Sequence, residues 1–232
     1  MTVHRFFAPF FLISTGIACT SLPVDPEGTL NRVEDGVMRV GIIENVPWTD
    51  LSEDDPAGVE VTLIRQFSEE LDATIEWNEG SEQDLFEALK LGQLDLLIGG
   101  ITSTTPYSSH AALTHPYITV QTVVGLPEEE DAGEDIAGID VAVEKGTAAA
   151  GVLEKTDANP VFVDDIAAAQ GAAALEDFFL EDLDLVDSGV TLIESDHVMA
   201  VRLGENGWMV RLEEFLLERP DEVVKLLEEE EP

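Results

Sequence analysis

The sequence predicts an α/β protein in which short strands and amphipathic helices alternate along the chain. Met38 to Ile43 is a β-prone run, and the apolar residues that follow recur at helical spacing, at Val61, Ile64, Phe67 and Leu71. A second buried strand is indicated from Leu94 to Ile98. The chain has 232 residues, of which 44% are hydrophobic, which is enough for one bilobed domain or two small ones. Repeated strand-helix units favour a mostly parallel sheet covered by helices on both faces.

A strand and a capped helix are predicted between those two strands. Apolar residues alternate with polar ones, as in a half-buried strand, at Ala73, Ile75 and Trp77. Ser81 and Asp84 are typical of a capped helix start, and the helix would bury Leu85, Phe86 and Leu89. Ligands of parallel sheets bind beyond the carboxyl ends of the strands. We therefore expect the functional loops at Glu44 to Asp50 and at Gly99 to Tyr107.

The second half of the chain repeats this alternation after an acidic interruption. A strand is indicated by alternation at Ile118, Val120, Thr122 and Val124. The run from Glu128 to Asp135 is nearly all acidic and is expected to be a solvated loop. Asp140 to Val143 is a further short strand, and Gly146 with Thr147 opens an Ala-rich helix that reaches about Leu153.

The C-terminal part adds two short strands and one helix. The strands are expected at Val161 to Val163 and at Val198 to Val201. One helical face carries Trp208, Leu212 and Phe215, and Pro220 is expected to stop that helix.

The charge balance excludes some classes of partner. The chain has 49 acidic residues against 11 Lys and Arg, for a formal net charge of −38. Nucleic acid and anionic membrane surfaces are therefore excluded as partners. Such self-repulsion destabilises a compact state at low ionic strength, so a salt-rich environment is expected.

The N-terminus has the pattern of an export signal. Arg5 precedes an apolar stretch from Phe6 to Ala18, which is too short to span a bilayer. Cys19 is the only cysteine, so an intramolecular disulfide is impossible, and the preceding residues resemble a bacterial lipobox. We expect a signal peptide over 1–19 with lipidation of Cys19, or else ordinary cleavage near Ala18. Residues 20–36 lack periodicity and are expected to form a flexible tether.

Several ordered segments carry a resemblance to a known family. They are Met38-Arg39-Val40-Gly41-Ile42-Ile43, Pro47-Trp48-Thr49, Gly58-Val59-Glu60-Val61, Leu96 through Thr104, Pro116-Tyr117 and Val141 through Thr147. In this order and spacing the chain resembles the family-3 extracellular solute-binding proteins of ABC transporters, of the type that binds polar amino acids. The resemblance implies a periplasmic binding protein-like fold of type II, with two α/β lobes joined by two crossing strands. Lobe one would comprise 37–120 and 194–232, and lobe two 121–193.

The resemblance also implies a ligand site between the lobes. Trp48 would be an aromatic platform, Gly100 and Thr102 would donate to a polar group of the ligand, and Thr147 would donate from lobe two. Each of the three side chains has a structural alternative, which is core packing for Trp48, a turn hydroxyl for Thr102 and an ordinary helix cap for Thr147. The acidic residue that pairs with a ligand amine in this family would be Asp177, or equally Glu176.

The sequence departs from the family pattern in two places. Where the family usually has an arginine that holds an α-carboxylate, an ungapped match gives Tyr107, and a shift of one residue gives Ser108. The stretch between Asp164 and Leu180 is too short for the helix, turn and strand expected there, so lobe two is trimmed or irregular.

Common catalytic signatures are missing from the sequence. There is no Gly-x-Ser-x-Gly, phosphate loop, dinucleotide fingerprint or His-Glu-x-x-His. We expect no enzyme activity, no cofactor and no metal, and we interpret His110 and His115 as surface residues and His197 as a strand-end or hinge residue. The alternatives are an enzyme on the same fold, similar to cyclohexadienyl dehydratase, and a receptor module that reports ligand to a membrane sensor.

The expected function is capture of a small polar solute outside the cytoplasmic membrane by a monomer that delivers it to an ABC transporter permease. Closure of the lobes would be a population shift that the permease recognises. The loop from Gly99 to His115 has no Arg or Lys, and Lys145 is the only basic residue beside the lobe-two loop. With Trp48, Tyr107 and Glu44 available, a cationic or neutral polar solute suits the site better than an anion, and ordinary α-amino acids should bind weakly or in a different pose.

Overall fold

The computed structural model describes residues 24–127 and 135–229. The predicted signal peptide over 1–19, Cys19 and the first residues of the predicted tether lie outside these ranges. So does nearly all of the acidic loop predicted from Glu128 to Asp135.

Strands and helices alternate along the described chain. In the first half lie α1 (Thr29–Val33), β1 (Val37–Ile42), α2 (Val59–Glu70), β2 (Thr74–Glu79), α3 (Glu82–Lys90), β3 (Leu96–Ile98), β4 (Ala112–Leu113) and β5 (Ile118–Pro127). In the second half lie β6 (Asp140–Glu144), α4 (Ala148–Leu153), β7 (Asn159–Val163), β8 (Ala173–Glu176), β9 (Leu185–His197), β10 (Ala200–Val201), α5 (Asn206–Leu217) and α6 (Pro220–Glu228). Short 3-10 turns occupy Ile166–Ala168 and Asp177–Phe179.

The first lobe is built on a mixed sheet with the order β2-β1-β3-β10-β4. The strands β2, β1 and β3 run parallel, and β10 is antiparallel to both β3 and β4. Leu96 and Ile98 pack into the core on the side of α2 and α5, whereas Leu97 packs on the side of α3. A strand buried on both faces has apolar residues in succession, which explains the continuous run in β3.

The second lobe is built on a mixed sheet with the order β7-β6-β8-β5-β9. The strands β7, β6 and β8 run parallel, so β6 and β8 end at the same edge of the sheet. This core is smaller and richer in alanine, with Ala149, Ala150 and Leu153 of α4 packed against it. The observed elements confirm the predicted strand β6 and the predicted Ala-rich helix.

Two long antiparallel strands connect the lobes. The strand β5 pairs with β9 from Ile118 opposite His197 to Pro127 opposite Leu185, with irregular register around Val123. Both strands begin or end beside the first sheet and continue into the second. The observed architecture confirms the predicted fold of two α/β lobes joined by two crossing strands.

Lobe two contains a short turn where the family resemblance implied a helix. Between Asp164 and β8 the chain makes only the 3-10 turn Ile166–Ala168, which Asp165 caps by accepting a hydrogen bond from the Ala167 N–H at 2.9 Å. The strand β8 then passes between β6 and β5. One turn replaces a full helix because few residues are available there.

Residues 24–36 depart from the flexible tether predicted over 20–36. They contain α1, and Val33 is fully buried in the core of lobe one. The Asp25 carboxylate accepts the Trp208 N–H at 2.9 Å, and the Glu205 carboxylate accepts the Thr29 N–H at 3.0 Å. These contacts attach the segment to the start of α5, so the flexible interpretation is wrong for this part of it.

The C-terminal end also extends beyond the prediction. The predicted helix ends at Leu217, and Pro220 begins α6, where a proline at the first helical position lacks only an N–H that would have no helical partner. Within residues 24–127 and 135–229, no helix has both the length and the apolar character required to cross a membrane.

Candidate functional site

A cavity of about 420 Å³ lies between the two lobes and is large enough for a small solute. We call it the interlobe cavity. Its walls combine residues from lobe one (Asn45, Val46, Pro47, Trp48, Gly100, Thr102), from the crossing strands (Val120, Thr122, Ser195, His197) and from lobe two (Glu144, Ile166, Glu176, Phe178, Phe179). A neighbouring cavity of about 250 Å³ shares Thr122, Glu144, Ile166, Glu176 and Ser195 with it and also reaches Thr147. We call this the lobe-two cavity.

The loop after β1 brings Trp48 to the interlobe cavity. Its ring is 5% exposed and packs edge-on against Tyr117, with the ring centroids 6.3 Å apart. The Trp48 carbonyl accepts the Glu60 N–H at 2.9 Å, which fastens the loop to the first turn of α2. The predicted loop position is therefore confirmed, and Trp48 both packs in the core and lines the cavity.

Gly100 lines the interlobe cavity, but its N–H already has a partner. That N–H donates to the Glu60 carboxylate at 3.0 Å, beside the Gly99 N–H at 2.6 Å. The Gly100 N–H, which was expected to donate to a ligand, is therefore not free to do so in this structure. A glycine is required here because φ is +64° and a Cβ would collide with the Trp48 ring and the Asn45 amide.

Thr102 also lies at the interlobe cavity. Its hydroxyl is 3.0 Å from the Thr104 hydroxyl, and its backbone bridges to His197 at the end of β9. The loop after β3 is thereby attached to a crossing strand. The role of the Thr102 hydroxyl as a ligand donor stays a prediction.

Thr147 caps α4 and lies in the lobe-two cavity. Its hydroxyl accepts the Ala150 N–H at 3.2 Å and donates to the Glu144 carbonyl at 2.9 Å. The capping alternative is therefore confirmed for this side chain, and its hydroxyl hydrogen is already used.

Tyr107 does not line the interlobe cavity. Its ring stacks on Phe86 with the centroids 5.3 Å apart and belongs to the core on the α3 side. The prediction of Tyr107 as a ligand-binding residue is therefore not supported by its location. The aromatic ring packs against the apolar face of α3, away from the interlobe cavity.

Asp177 also lies outside the interlobe cavity, whereas Glu176 lines both cavities. Asp177 is exposed and lines a separate cleft beside Val224 and Leu227 of α6. The reason is the phase of β8, where Ala174 and Glu176 share one face of the strand. Asp177 starts the 3-10 turn and leaves that face. Of the two open assignments, the geometry favours Glu176.

Sequence reasoning missed Glu60, which lines neither cavity but accepts hydrogen bonds from the loop that lines the interlobe cavity. It is fully buried in the first turn of α2, and its carboxylate also accepts a hydrogen bond from the Tyr117 hydroxyl. Burial raises the pKa of Glu60 to about 7, against the opposing effect of its hydrogen bonds from Tyr117, Gly100 and Gly99. The signal in the sequence was an acid within a run of residues that are otherwise apolar.

His197 is the second missed residue. It ends β9, which confirms its interpretation as a strand-end residue, but it also lines the interlobe cavity. Its side chain is buried, Nδ1 has no hydrogen-bond partner, and burial lowers its pKa to about 4. The imidazole is therefore neutral at pH 7.

The two lobe-two carboxylates at the cavities are Glu144 and Glu176. They end the parallel strands β6 and β8, whose register pairs Ala142 with Ala173. Burial raises the pKa of Glu176, and the charge of Glu144 contributes in the same direction. Ligand sites at the carboxyl ends of parallel strands are common in α/β sheets.

The loop histidines are separated from this site. His115 lies 2.8 Å from Glu213, and His110 lies 3.9 Å from Glu87. Within the part of the chain that the structure describes, no group of three His, Cys, Asp or Glu residues has a metal-binding arrangement.

Two α/β lobes, two crossing strands and a cavity between the lobes define a two-lobed solute-binding protein. The family described as bacterial extracellular solute-binding proteins, family 3, matches residues 38–222. The chain belongs to this family, which confirms the predicted resemblance.

The chain is similar to solved structures over most of its length. An ancestral cationic amino acid solute-binding protein has a TM-score of 0.66 and 17% identity, and the match covers 85% of this chain and 98% of the other. The L-cystine solute receptor of Neisseria gonorrhoeae, in an unliganded open conformation, has a TM-score of 0.67 and 16% identity, with coverage of 83% and 91%. At this level of identity the likeness shows the fold.

Among curated proteins, the chain is similar to part of a larger one. Membrane-bound lytic murein transglycosylase F of Vibrio parahaemolyticus is 35% identical over 101 residues. The match covers 43% of this chain and 18% of the relative, so this chain matches only a small part of that protein.

Proposed function

We propose that this protein captures a small polar solute between its two lobes outside the cytoplasm and delivers it to an ABC transporter permease. The observation that carries the proposal is the composition of the interlobe cavity, whose walls come from both lobes and from the crossing strands. A solute in this cavity contacts both lobes at once. Such contacts stabilise a closed arrangement over an open one, and the permease can recognise the closed form.

The proposed binding residues come from three parts of the molecule. Trp48 and Thr102 contact the solute from lobe one, His197 from a crossing strand, and Glu176 with Glu144 from lobe two. Thr147 acts indirectly, because its hydroxyl fixes the carbonyl of Glu144 and the start of α4. The role is binding rather than catalysis, and the protein acts as a monomer without a cofactor.

The proposal also covers where the protein is located. The N-terminal segment directs export, and Cys19 carries a lipid that holds the protein at the outer face of the cytoplasmic membrane. Mass spectrometry of the protein from its native membrane tests this directly. A lipid-modified Cys19 is expected at the mature N-terminus, and an unmodified chain would remove the anchor from the proposal.

A solute screen followed by scattering tests the central function. Thermal-shift measurements in high salt against amino acids, amines and compatible solutes should find at least one that raises the melting temperature, because a ligand that binds only the folded state stabilises it. Small-angle scattering with that solute should show a smaller radius of gyration than without it. Binding without compaction would contradict the closing mechanism, and a permease gene beside this one would support delivery.

A further inference from the structure

The second lobe presents two carboxylates to the ligand cavities. Glu144 and Glu176 line both the interlobe cavity and the lobe-two cavity. They stand at the ends of β6 and β8, which are adjacent parallel strands, so their backbones are close together. Glu144 is exposed and Glu176 is half-buried, and the two carboxylates together give that wall a negative potential.

This negative wall has no cation from the protein to balance it. Among the described residues that line either cavity, none is a lysine or an arginine. Lys145 follows Glu144 directly, but its Nζ lies 2.6 Å from the Asp164 carboxylate and it does not line the cavities. In lobe one, Arg32 and Arg39 are both paired with the carboxylate of Asp95.

A second observation comes from the part of the interlobe cavity wall that the crossing strand β9 contributes. His197 is 6% exposed, and its Nδ1 is buried without a hydrogen-bond partner. A buried polar atom without a partner is rare in a folded protein, and a hydrogen-bond donor supplied by a ligand is one explanation for it. A neutral imidazole accepts a hydrogen bond through one ring nitrogen. Beside it, the Trp48 indole stacks on the imidazole and lines the same cavity.

We infer that the interlobe cavity binds an organic cation that carries no carboxylate, such as a diamine or a guanidino amine. This inference rests on the proposed function and names the ligand class of that site. The ligand's ammonium or guanidinium group pairs with Glu144 and Glu176, and the rest of the molecule lies against Trp48 and His197. An α-carboxylate would meet the same negative wall with no arginine to hold it.

The experiment compares pairs of ligands that differ only in the carboxylate. Titration calorimetry on the full mature chain, in about 1 M KCl to screen the surface charge, would use cadaverine against L-lysine and agmatine against L-arginine. We expect the decarboxylated member of each pair to bind at least about tenfold more tightly. Tighter binding of lysine and arginine, or binding of L-glutamate alone, would overturn the inference and leave solute capture intact.

Variants locate the binding to the negative wall. Glu144→Gln and Glu176→Gln should each weaken binding of the preferred cation by about tenfold or more. Glu154→Gln is the matched control, because Glu154 is an exposed glutamate of the same lobe, outside both cavities. Denaturation curves that match the parent protein establish that the variants fold. Equal affinity in Glu176→Gln, Glu144→Gln and the control would overturn the assignment.

Different results would contradict the ligand class and the solute-binding function. If amino acids compact the protein in scattering and the amines do not, the ligand class is wrong and the solute-binding function stands. If no amine, amino acid or compatible solute in the panel binds, both the ligand class and the proposed function are wrong.

Discussion

The imidazole of His197 stacks on the indole of Trp48, with the ring centroids 3.9 Å apart and 25° between the ring planes. One ring belongs to the end of a crossing strand and the other to a loop of lobe one. Both side chains are buried in the protein interior. The contact therefore attaches the crossing strand to the cavity wall through a histidine that is neutral in the folded protein.

Acidification should destabilise the protein through His197. Burial lowers its folded pKa to about 4, against an ordinary value of 6.5. Between these values the unfolded state binds more protons than the native state, so the free energy of unfolding falls as pH falls. The full difference corresponds to about 3 kcal/mol.

Urea denaturation at several pH values checks this contribution. His197→Gln should lose the part of the pH dependence between about 6.5 and 4 that the histidine supplies, and it should also lose the stacking contact with Trp48. His110→Gln is the control, since His110 lies in a surface loop. A His197→Gln profile parallel to that of the parent would show that the imidazole is not buried as a neutral group.

Glu60 should affect the pH dependence of the free energy of unfolding in the opposite direction to His197. Its folded pKa is about 7, against an ordinary value of 4.5. Between these values the native state retains a proton that the unfolded state has lost, so stability falls as pH rises, by up to about 3 kcal/mol. Glu60→Gln keeps a neutral group of the same shape that can still accept the Gly99 and Gly100 N–H groups.

The stability of Glu60→Gln relative to the parent should therefore increase as pH rises from 4.5 to 7. Urea midpoints of the two proteins at matched pH measure this difference. Glu69→Gln, an exposed position of the same helix, provides the control and should show a constant difference. The prediction fails if the Glu60→Gln difference is equally constant.

Local patterns in the sequence were sufficient to predict much of the fold. The Ser81 hydroxyl accepts the Asp84 N–H at 3.3 Å, as its position before an apolar helix face predicted. The predicted face of α3 is buried as well, at Leu85, Phe86 and Leu89. Caps and helical periodicity depend on neighbours within a few residues, so they can be read before the tertiary structure is known.

Features that depend on contacts with distant residues could not be predicted from the sequence. Glu60 receives hydrogen bonds from residues 39, 40 and 57 positions away, and no local pattern shows where its carboxylate goes. Most of β9 was missed because it is an edge strand with many polar residues, among them Asp187, Glu194 and Asp196. The choice between Glu176 and Asp177 depended on the residue at which β8 ends, and the ends of strands are poorly specified by sequence.

Removal of the Asp95 carboxylate should strongly destabilise lobe one. Its side chain is 1% exposed and pairs with Arg32 and Arg39, each at 2.6 Å. Burial opposes its charge, but the hydrogen bonds from Arg39 and Arg32 prevail and hold the pKa of Asp95 below its usual value. Asp95→Ala would remove the hydrogen bonds to both guanidinium groups, which are 43% and 29% exposed and can be hydrated, so the cost should be about 1.5 to 3 kcal/mol.

A matched exposed pair provides the comparison. Asp55 pairs with Arg65 at 2.6 Å, but its side chain is 82% exposed. Asp55→Ala should cost no more than about 1 kcal/mol, because water and salt screen such pairs. Urea denaturation of both variants should separate them clearly. Similar losses for the two variants would contradict the structural role of the buried pair.

Stability should also rise with salt concentration, because the net charge of −38 is spread over a surface with few cations. Raising the ionic strength from 0.1 M to 1 M shortens the Debye length from about 10 Å to about 3 Å, which removes most repulsion between surface carboxylates.

Urea is the appropriate denaturant because it adds no charge. The unfolding midpoint in about 2 M KCl should exceed that in about 0.1 M KCl, and sulfate must be avoided because it strengthens apolar burial by itself. Asp95→Ala should show the same salt response as the parent, since a buried pair is screened little. A midpoint that does not change with KCl would show that surface repulsion does not limit the stability of this fold.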